Sequence, residues 1–392
     1  MAFHNLGCAF RGQGRFEEAI TAHRRGLEID PTIALAHVDL GAALDEHGQL
    51  DEAIASYRRA IELEPDLALA HRALAVALRT QDLEAAFASF RRHAALAFGT
   101  AGPPAKSATP IAPHRTKHDR EQLEFLVEHR IVPNLEALAG EPPERFHAHF
   151  STLFHVEGGN RIESPAVKSR GHRDRLAIET QWERGNPKIV VIDDLLSPEA
   201  LAGLKRFCWG STIWRSDYRD GYLGAMPESG FAVPLLAQVS NELVAAFPRI
   251  FRAHPLLQWW AFKYDSALSG IGVHADFAAV NVNFWITADD ANLDPEHGGL
   301  VIWDKPAPLE WTFERYNNVD TSEVREFLTR SDARSVTVPY RANRAVIFDS
   351  DLFHETDRIS FKEGYQNRRI NITLLYGLRE HGTEMADAAK RG

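Results

Sequence analysis

The sequence predicts a chain of two unlike parts, an all-α array of helical repeats followed by an antiparallel double-sheet β domain with flanking helices. Three observations point there. At 392 residues the chain exceeds what one hydrophobic core ordinarily fills. Small and apolar residues recur at a fixed interval through its first quarter. Further on, the texture changes to short apolar runs bounded by turn residues. With 44% hydrophobic and 25% charged residues, the composition is that of a globular protein with enough apolar surface for a core in each part.

The repeats come first. Leu6, Leu40 and Leu74 recur at a period of 34, with Gly7, Gly41 and Ala75 beside them. Gly14 pairs with Gly48, Ala19 with Ala53 and Pro31 with Pro65; a third copy, one residue shorter, continues with Ala86 and Phe90. Each unit reads as a helix, a turn near Gly14 or Gly48, and a second helix such as Leu50–Leu63. Stacking buries the apolar faces that a single unit leaves exposed. This set resembles the tetratricopeptide repeat, in three copies over residues 1–98, whose small residues sit where two helices touch and whose Pro ends the second helix. The resemblance implies a concave surface for a protein or extended peptide partner. Ala2 already matches Ala36 and Ala70, so the exposed start is expected either to be covered by another molecule or to be preceded by further repeats. Tyr57 and Phe90 read as packing residues, and the acidic pairs in FEEA and LDEA as solvated helix charges.

The stretch GTAGPPAKSATPIAP breaks the helical pattern, so 99–117 reads as a linker. Residues 118–185 read as a helical and irregular connecting segment, interrupted by Pro133, Pro142 and Pro143. Over 186–380 the runs KIVVIDD, QWWAFKY, VNVNFWIT, LVIWD, SVTVPY, RAVIFDS and RINITLLYG read as strands, with helices at 198–207 and 234–246. Such a set of short strands predicts a jelly roll, or double-stranded β-helix, with flanking helices. Residues 381–392 read as a tail.

Within that domain GIGVHADFAAVNVNFWIT is followed much later by RAVIFDSDLFHETD. His274 and Asp276 stand two apart, so in an extended chain both side chains leave one face. His354 follows a separate strand, which an antiparallel jelly roll can return beside the first. Two imidazoles and a carboxylate on one face of an octahedral ion leave three adjacent positions open, the arrangement associated with Fe(II) oxygenases. Together with a later basic residue, these elements resemble the 2-oxoglutarate and Fe(II) dependent dioxygenases of the broad prolyl-hydroxylase-like type, over roughly 186–380. The resemblance implies Fe(II) on His274, Asp276 and His354, 2-oxoglutarate as cosubstrate, O2 as oxidant, and hydroxylation of a substrate C–H bond with release of succinate. Related halogenases lack the carboxylate ligand, so Asp276 argues against halogenation.

The same resemblance calls for an arginine to pair with the far carboxylate of 2-oxoglutarate, a task that suits its planar fork. Arg368 and Arg369 stand side by side; Arg369 shares its strand face with polar Asn371 and Thr373 and is preferred, with Arg368 in reserve. Asn281 and Asn283 share a face with Trp285 and Thr287, which puts either asparagine within reach of cosubstrate or substrate. Tyr264, ten residues before His274, stands where several members of the family place a 2-oxoglutarate ligand. Trp285 and Trp303 are candidate substrate contacts, although large aromatics in a sheet are more often core.

Plainer readings cover the remaining candidates. A second His-x-Asp, His172 and Asp174, lies in a charged stretch without strand pattern and reads as a solvated loop. His297, in EHGGL, reads as a turn residue beside Gly298 and Gly299. A net charge of −10 and a pI near 6.0 argue against a nucleic-acid partner, and no run of about 18 apolar residues suggests a membrane span. Cys8 and Cys208 make neither a disulfide framework nor a thiolate metal site, which with the absence of a secretory start points to the cytoplasm. Oligomeric state is left open. Three functions compete: a hydroxylase acting on a protein, a peptide or a small molecule such as an amino acid or secondary metabolite; an interaction protein with a degenerate jelly roll; and a cupin-like Zn or Mn protein. Repeats joined to an oxygenase also resemble the collagen prolyl hydroxylases and the aspartyl/asparaginyl hydroxylases, the latter lacking the carboxylate that Asp276 supplies.

Overall fold

The computed structural model describes residues 2–99, 111–218, 221–268, 270–318 and 320–379. These residues fall into two compact units. In the first, helices α1 (Ala2–Gly12), α2 (Phe16–Ile29), α3 (Ala34–Glu46), α4 (Leu50–Leu63), α5 (Ala68–Leu78) and α6 (Leu83–Gly99) form three successive hairpins. Gly14 and Gly48 occupy the first two turns at φ +73° and +85°, with nothing within 4 Å of an added Cβ, so backbone conformation selects glycine there. The shorter third turn uses another device: Asp82 caps α6, its carboxylate accepting from the Ala85 amide at 3.0 Å. At Gly41 the helix contact decides, since a Cβ there would lie 2.5 Å from the Tyr57 ring. Ala19, Ala53, Ala60 and Ala86 are fully buried in one core with Ile20, Leu44, Tyr57 and Leu74, while Glu17, Glu18, Asp51 and Glu52 face solvent.

Of the predicted linker, residues 100–110 lie outside the described residues, as does the predicted tail at 381–392. The rest of the linker is corrected: 113–117 are helical, because Pro113 opens α7 (Pro113–Glu128) at a position where a missing N–H leaves no bond unmade. This helix belongs to the second unit, as does the rest of the segment 118–185 except Thr152–Phe154, which falls in the first. Arg115 donates to the Trp214 carbonyl at 2.5 Å and Gln122 to the Ser211 carbonyl at 2.8 Å. The buried Asp119 carboxylate gathers Arg115 Nε at 2.7 Å, His118 Nδ1 at 3.1 Å and His147 Nδ1 at 3.3 Å. Burial alone would raise its pKa, but Arg115 and the two imidazoles hold it well below the usual carboxylate range. The Asp119→Ala variant is expected to lose about 3–5 kcal/mol, because it strands a buried guanidinium. The denaturant midpoint checks this, and an unshifted midpoint would contradict it.

Two further helices precede the first strand, α8 (Pro143–Phe150) and α9 (His172–Arg184). The expected loop at His172 and Asp174 is therefore corrected: both are exposed residues in the first turn of α9, whose buried face is Glu179 and Trp182. Charged residues around only two inward positions hid the helical period.

Twelve strands follow: β1 (Ile189–Ile192), β2 (Ser216–Tyr218), β3 (Tyr222–Ala225), β4 (Leu256–Tyr264), β5 (Ala267–Leu268), β6 (Val280–Trp285), β7 (Leu300–Pro306), β8 (Ser335–Val338), β9 (Ala345–Asp349), β10 (Leu352–Thr356), β11 (Ile359–Ser360) and β12 (Ile370–Tyr376). Interspersed are α10 (Pro198–Gly210), α11 (Pro234–Ala246), α12 (Pro248–Phe251), α13 (Phe313–Tyr316) and α14 (Ser322–Arg330). All pairings are antiparallel, in a seven-stranded sheet ordered β1-β9-β6-β12-β4-β3-β2, a three-stranded sheet β10-β7-β8 and the pair β11-β5.

Strand alternation divides the large sheet into two faces. On one, Tyr264, Trp285, Val346 and Phe348 share a core with Leu300, Ile302 and Val338 of the three-stranded sheet. On the other, Tyr376 donates to Ser240 of α11 at 2.9 Å and Lys263 reaches the Cys208 carbonyl of α10 at 3.3 Å. The central strands β6 and β12 are buried at every residue, as strands covered on both faces must be.

Candidate metal centre

His274 and Asp276 lie on the stretch leading into β6, and His354 lies within β10. An isolated antiparallel bridge sets the two histidines opposite each other, with amide-to-carbonyl bonds of 2.9 Å and 2.8 Å in the two directions. The Asp276 amide donates to the Ser350 carbonyl at 3.2 Å, which holds this stretch against the turn between β9 and β10. Each imidazole is oriented from behind: Nδ1 of His274 donates to the Gly272 carbonyl at 2.8 Å, and Nδ1 of His354 to the Leu352 carbonyl at 3.0 Å. Both Nε2 lone pairs are thereby presented to Asp276, at 3.9 Å from Oδ1 for His274 and 3.5 Å from Oδ2 for His354. The three potential ligand atoms lie within 4.8 Å of one another.

A polar chain running inwards fixes the carboxylate. Asn281 donates to Asp276 Oδ2 at 2.6 Å, Asn283 to Asn281 Oδ1 at 2.6 Å, and Asn371 and Thr373 to Asn283 Oδ1 at 2.7 Å and 2.9 Å. These residues share a face because Asn283 stands opposite Thr373 in the register. The asparagines thus orient the Asp276 carboxylate, where the sequence had left them free to meet a cosubstrate. Burial, then His354, lowers the His274 pKa to about 4, so its ring is neutral at physiological pH. Burial alone would raise Asp276, but the imidazoles and the Asn281 amide outweigh it, and the carboxylate is ionised. Two imidazoles and one carboxylate suit a divalent first-row ion. The Asn281→Ala variant is expected to bind such an ion about 10–100-fold more weakly, the usual effect of losing a residue that orients a ligand. Calorimetric titration with Mn(II) checks this; unchanged affinity would contradict it.

Arg369, the residue before β12 and two before Asn371, enters the same face and is 1% exposed. Its Nε donates to the Gly298 carbonyl at 2.7 Å and one amino group to the Gly299 carbonyl at 3.3 Å. Among the described residues its other amino group, Nη1, has no well-formed hydrogen bond, and no carboxylate pairs with the guanidinium. The cation lies over Tyr264 at 4.8 Å and Trp285 at 5.6 Å, and the Tyr264 phenol interacts with Thr356 as well as with Arg369. Arg368 points the other way, to Glu121 at 2.6 Å and Asp265 at 3.4 Å, so it serves the attachment of α7. Trp285 is fully buried in the apolar core beside this pocket, whereas Trp303 is not brought to the site: it packs with Trp311 and Phe353 in a separate cluster with residues of α13 and α14.

Residues that the sequence passed over complete the pocket. His297 is indeed in a turn, tied to Asp357 at 2.9 Å, but that turn supplies the carbonyls that hold Arg369. Gly299 is required there, since a Cβ would lie 1.9 Å from the Val338 carbonyl. The paired glycines of EHGGL were the available signal. Thr356 carried none.

Comparison with known proteins concerns the first unit. A family model described as tetratricopeptide repeat matches residues 2–35, and one described as TPR repeat matches 44–82. The N-terminal unit carries tetratricopeptide repeats. Such repeats point to a role in protein interaction. Among solved structures, the chain is similar to the first TPR of Spaghetti (RPAP3) bound to the HSP90 peptide SRMEEVD, at 22% identity and a TM-score of 0.24, over 24% of this chain and 76% of that one. It is similar to the TPR2B domain of yeast Sti1 in its pHsp70 complex at 22% identity and a TM-score of 0.23, over 23% and 73% of the two chains. A search of curated proteins finds no match. Among the described residues, no helix is long and apolar enough to cross a membrane.

Proposed function

We propose that the second unit is a jelly-roll oxygenase using Fe(II) and 2-oxoglutarate to hydroxylate a C–H bond. The observation that carries this reading is the pairing, on one sheet face, of the His274, Asp276, His354 trio with a buried Arg369 that has no carboxylate partner among the described residues. A buried guanidinium without a counter-charge is costly, and an anionic ligand relieves that cost. The chain of hydrogen bonds from Asn371, two residues after Arg369, through Asn283 and Asn281 leads along that face to Asp276.

In this reading His274, Asp276 and His354 hold the iron through Nε2, a carboxylate oxygen and Nε2. Arg369 binds the far carboxylate through Nη1, with Tyr264 and Thr356 beside it. The bound iron, with 2-oxoglutarate and O2, supplies the oxidant that hydroxylates the substrate and leaves succinate and CO2. Asn281 keeps the Asp276 carboxylate turned to the ion, and the apolar core around Trp285 excludes water from the arginine end. His274 is the most exposed of the three, its side chain 17% accessible against 6% for Asp276 and 5% for His354, so substrate approaches from its side.

The tetratricopeptide repeats favour a protein or peptide as the hydroxylated substrate. A small-molecule substrate is the rival, and a purely interacting protein is the alternative of another class. Calorimetry of 2-oxoglutarate binding to Mn(II)-loaded protein tests the reading. Metal-dependent binding is expected, and binding that ignores the metal, or none at all, would overturn it.

A further inference from the structure

The first repeat departs from the others at one packing position. Where the second buries Tyr57 against Gly41 and the third has Phe90, the first buries His23 against Gly7; a Cβ on Gly7 would lie 2.5 Å from His23 Nε2. Phenylalanine asks for no polar partner, but imidazole has two ring nitrogens. His23 is 1% exposed, and among the described residues neither of its nitrogens has a hydrogen-bond partner. Buried polar groups are almost always satisfied, so this ring marks a missing ligand.

Metal-ligating side chains stand beside it. His4 and Cys8 are one turn apart on α1 and so share a face, and Asp39 reaches them from α3. The potential ligand atoms of His4, Cys8 and Asp39 lie within 4.8 Å of one another, with His4 Nδ1 at 3.4 Å from Asp39. The His23 ring meets His4 edge-on, centroids 5.8 Å apart, and the Asp39 charge acts on it.

We infer that His4, Cys8, Asp39 and His23 bind a divalent metal ion of the zinc type, clipping α1 and α2 of the first repeat to α3 of the second. One thiolate, one carboxylate and two imidazoles are a donor set that Zn(II) takes in tetrahedral form, and the two anionic ligands balance its charge. Burial, then Asp39, raises the Cys8 thiol pKa against the opposing pull of Arg11, so the metal-free thiol is protonated. Forming the sulfur–metal bond breaks the S–H bond and sends that proton to solvent. The count of two cysteines disfavoured a thiolate site, and the mixed donor set escaped notice because its members come from three helices. The proposed iron site contains no thiolate, which makes the two sites separable.

Cobalt(II) titration of the full-length His354→Ala chain tests the site with the oxygenase ligands already broken. One equivalent is expected to bind, with a thiolate-to-cobalt charge-transfer band and the visible absorption of a tetrahedral ion. Cys8→Ser should abolish that band. His23→Phe, which installs the side chain found in the third repeat, should retain the far-UV helical signal while weakening binding at least tenfold. Zn(II) should raise the thermal midpoint of the His354→Ala chain and not that of its Cys8→Ser derivative. Absence of the band, its persistence in Cys8→Ser through Cys208, or unchanged affinity in His23→Phe would overturn the four-ligand site.

Discussion

The His354→Ala variant is expected to lose both iron binding and 2-oxoglutarate turnover while keeping its fold. His354 is held by its backbone bridge to His274, and that bridge does not depend on the side chain. Loss of the His354 imidazole leaves only His274 and Asp276 of the proposed ligands, too few to retain a labile divalent ion that follows the ordinary affinity order for nitrogen and oxygen donors. The ring also packs edge-on against Phe348 at 4.8 Å, so a modest loss of stability accompanies the change. Metal content after gel filtration and the unfolding midpoint measure the two effects separately. Retained stoichiometric iron in the variant would mean that the three residues do not form the metal centre.

The two adjacent arginines are expected to behave oppositely. If Arg369 binds 2-oxoglutarate as proposed, Arg369→Met removes its counter-charge in a buried site, which costs about 2–5 kcal/mol, a loss in 2-oxoglutarate affinity of roughly 30-fold or more. Stability should change little or rise, because an unpaired buried cation is replaced by an apolar side chain in a pocket lined by Tyr264 and Trp285. In Arg368→Met affinity should hold while stability falls, because Glu121 loses its partner and α7 its tie to the turn that leads into β12. Calorimetry and denaturant unfolding of both variants read this contrast. The reverse pattern would assign the cosubstrate to Arg368.

Much of this was legible in the chain because period carries it. The 34-residue recurrence set out the helical hairpins, and two-residue alternation placed Arg369 with Asn371 and Thr373 and turned Arg368 away. What was not legible depends on contacts distant in sequence. The strand β10 that carries His354 is five residues long and escaped as a strand, since DLFHET alternates poorly. Of helix α7 only the start at 113–117 was missed, read as linker behind Pro113, and its inward groups, Arg115, Asp119 and Gln122, are polar because they bind one another and the backbone of the second unit. The asparagines advertised a polar face but not its purpose, which is visible only once Asn281 is seen to hold Asp276.

Succinate formation tests the central claim most directly: the intact chain, loaded anaerobically with Fe(II) and given 2-oxoglutarate, is exposed to O2 and assayed beside His354→Ala. Succinate from the intact chain and none from the variant is the expected result. No succinate from either, together with no 2-oxoglutarate binding by calorimetry, would contradict an oxygenase and leave the tetratricopeptide repeats as the seat of function.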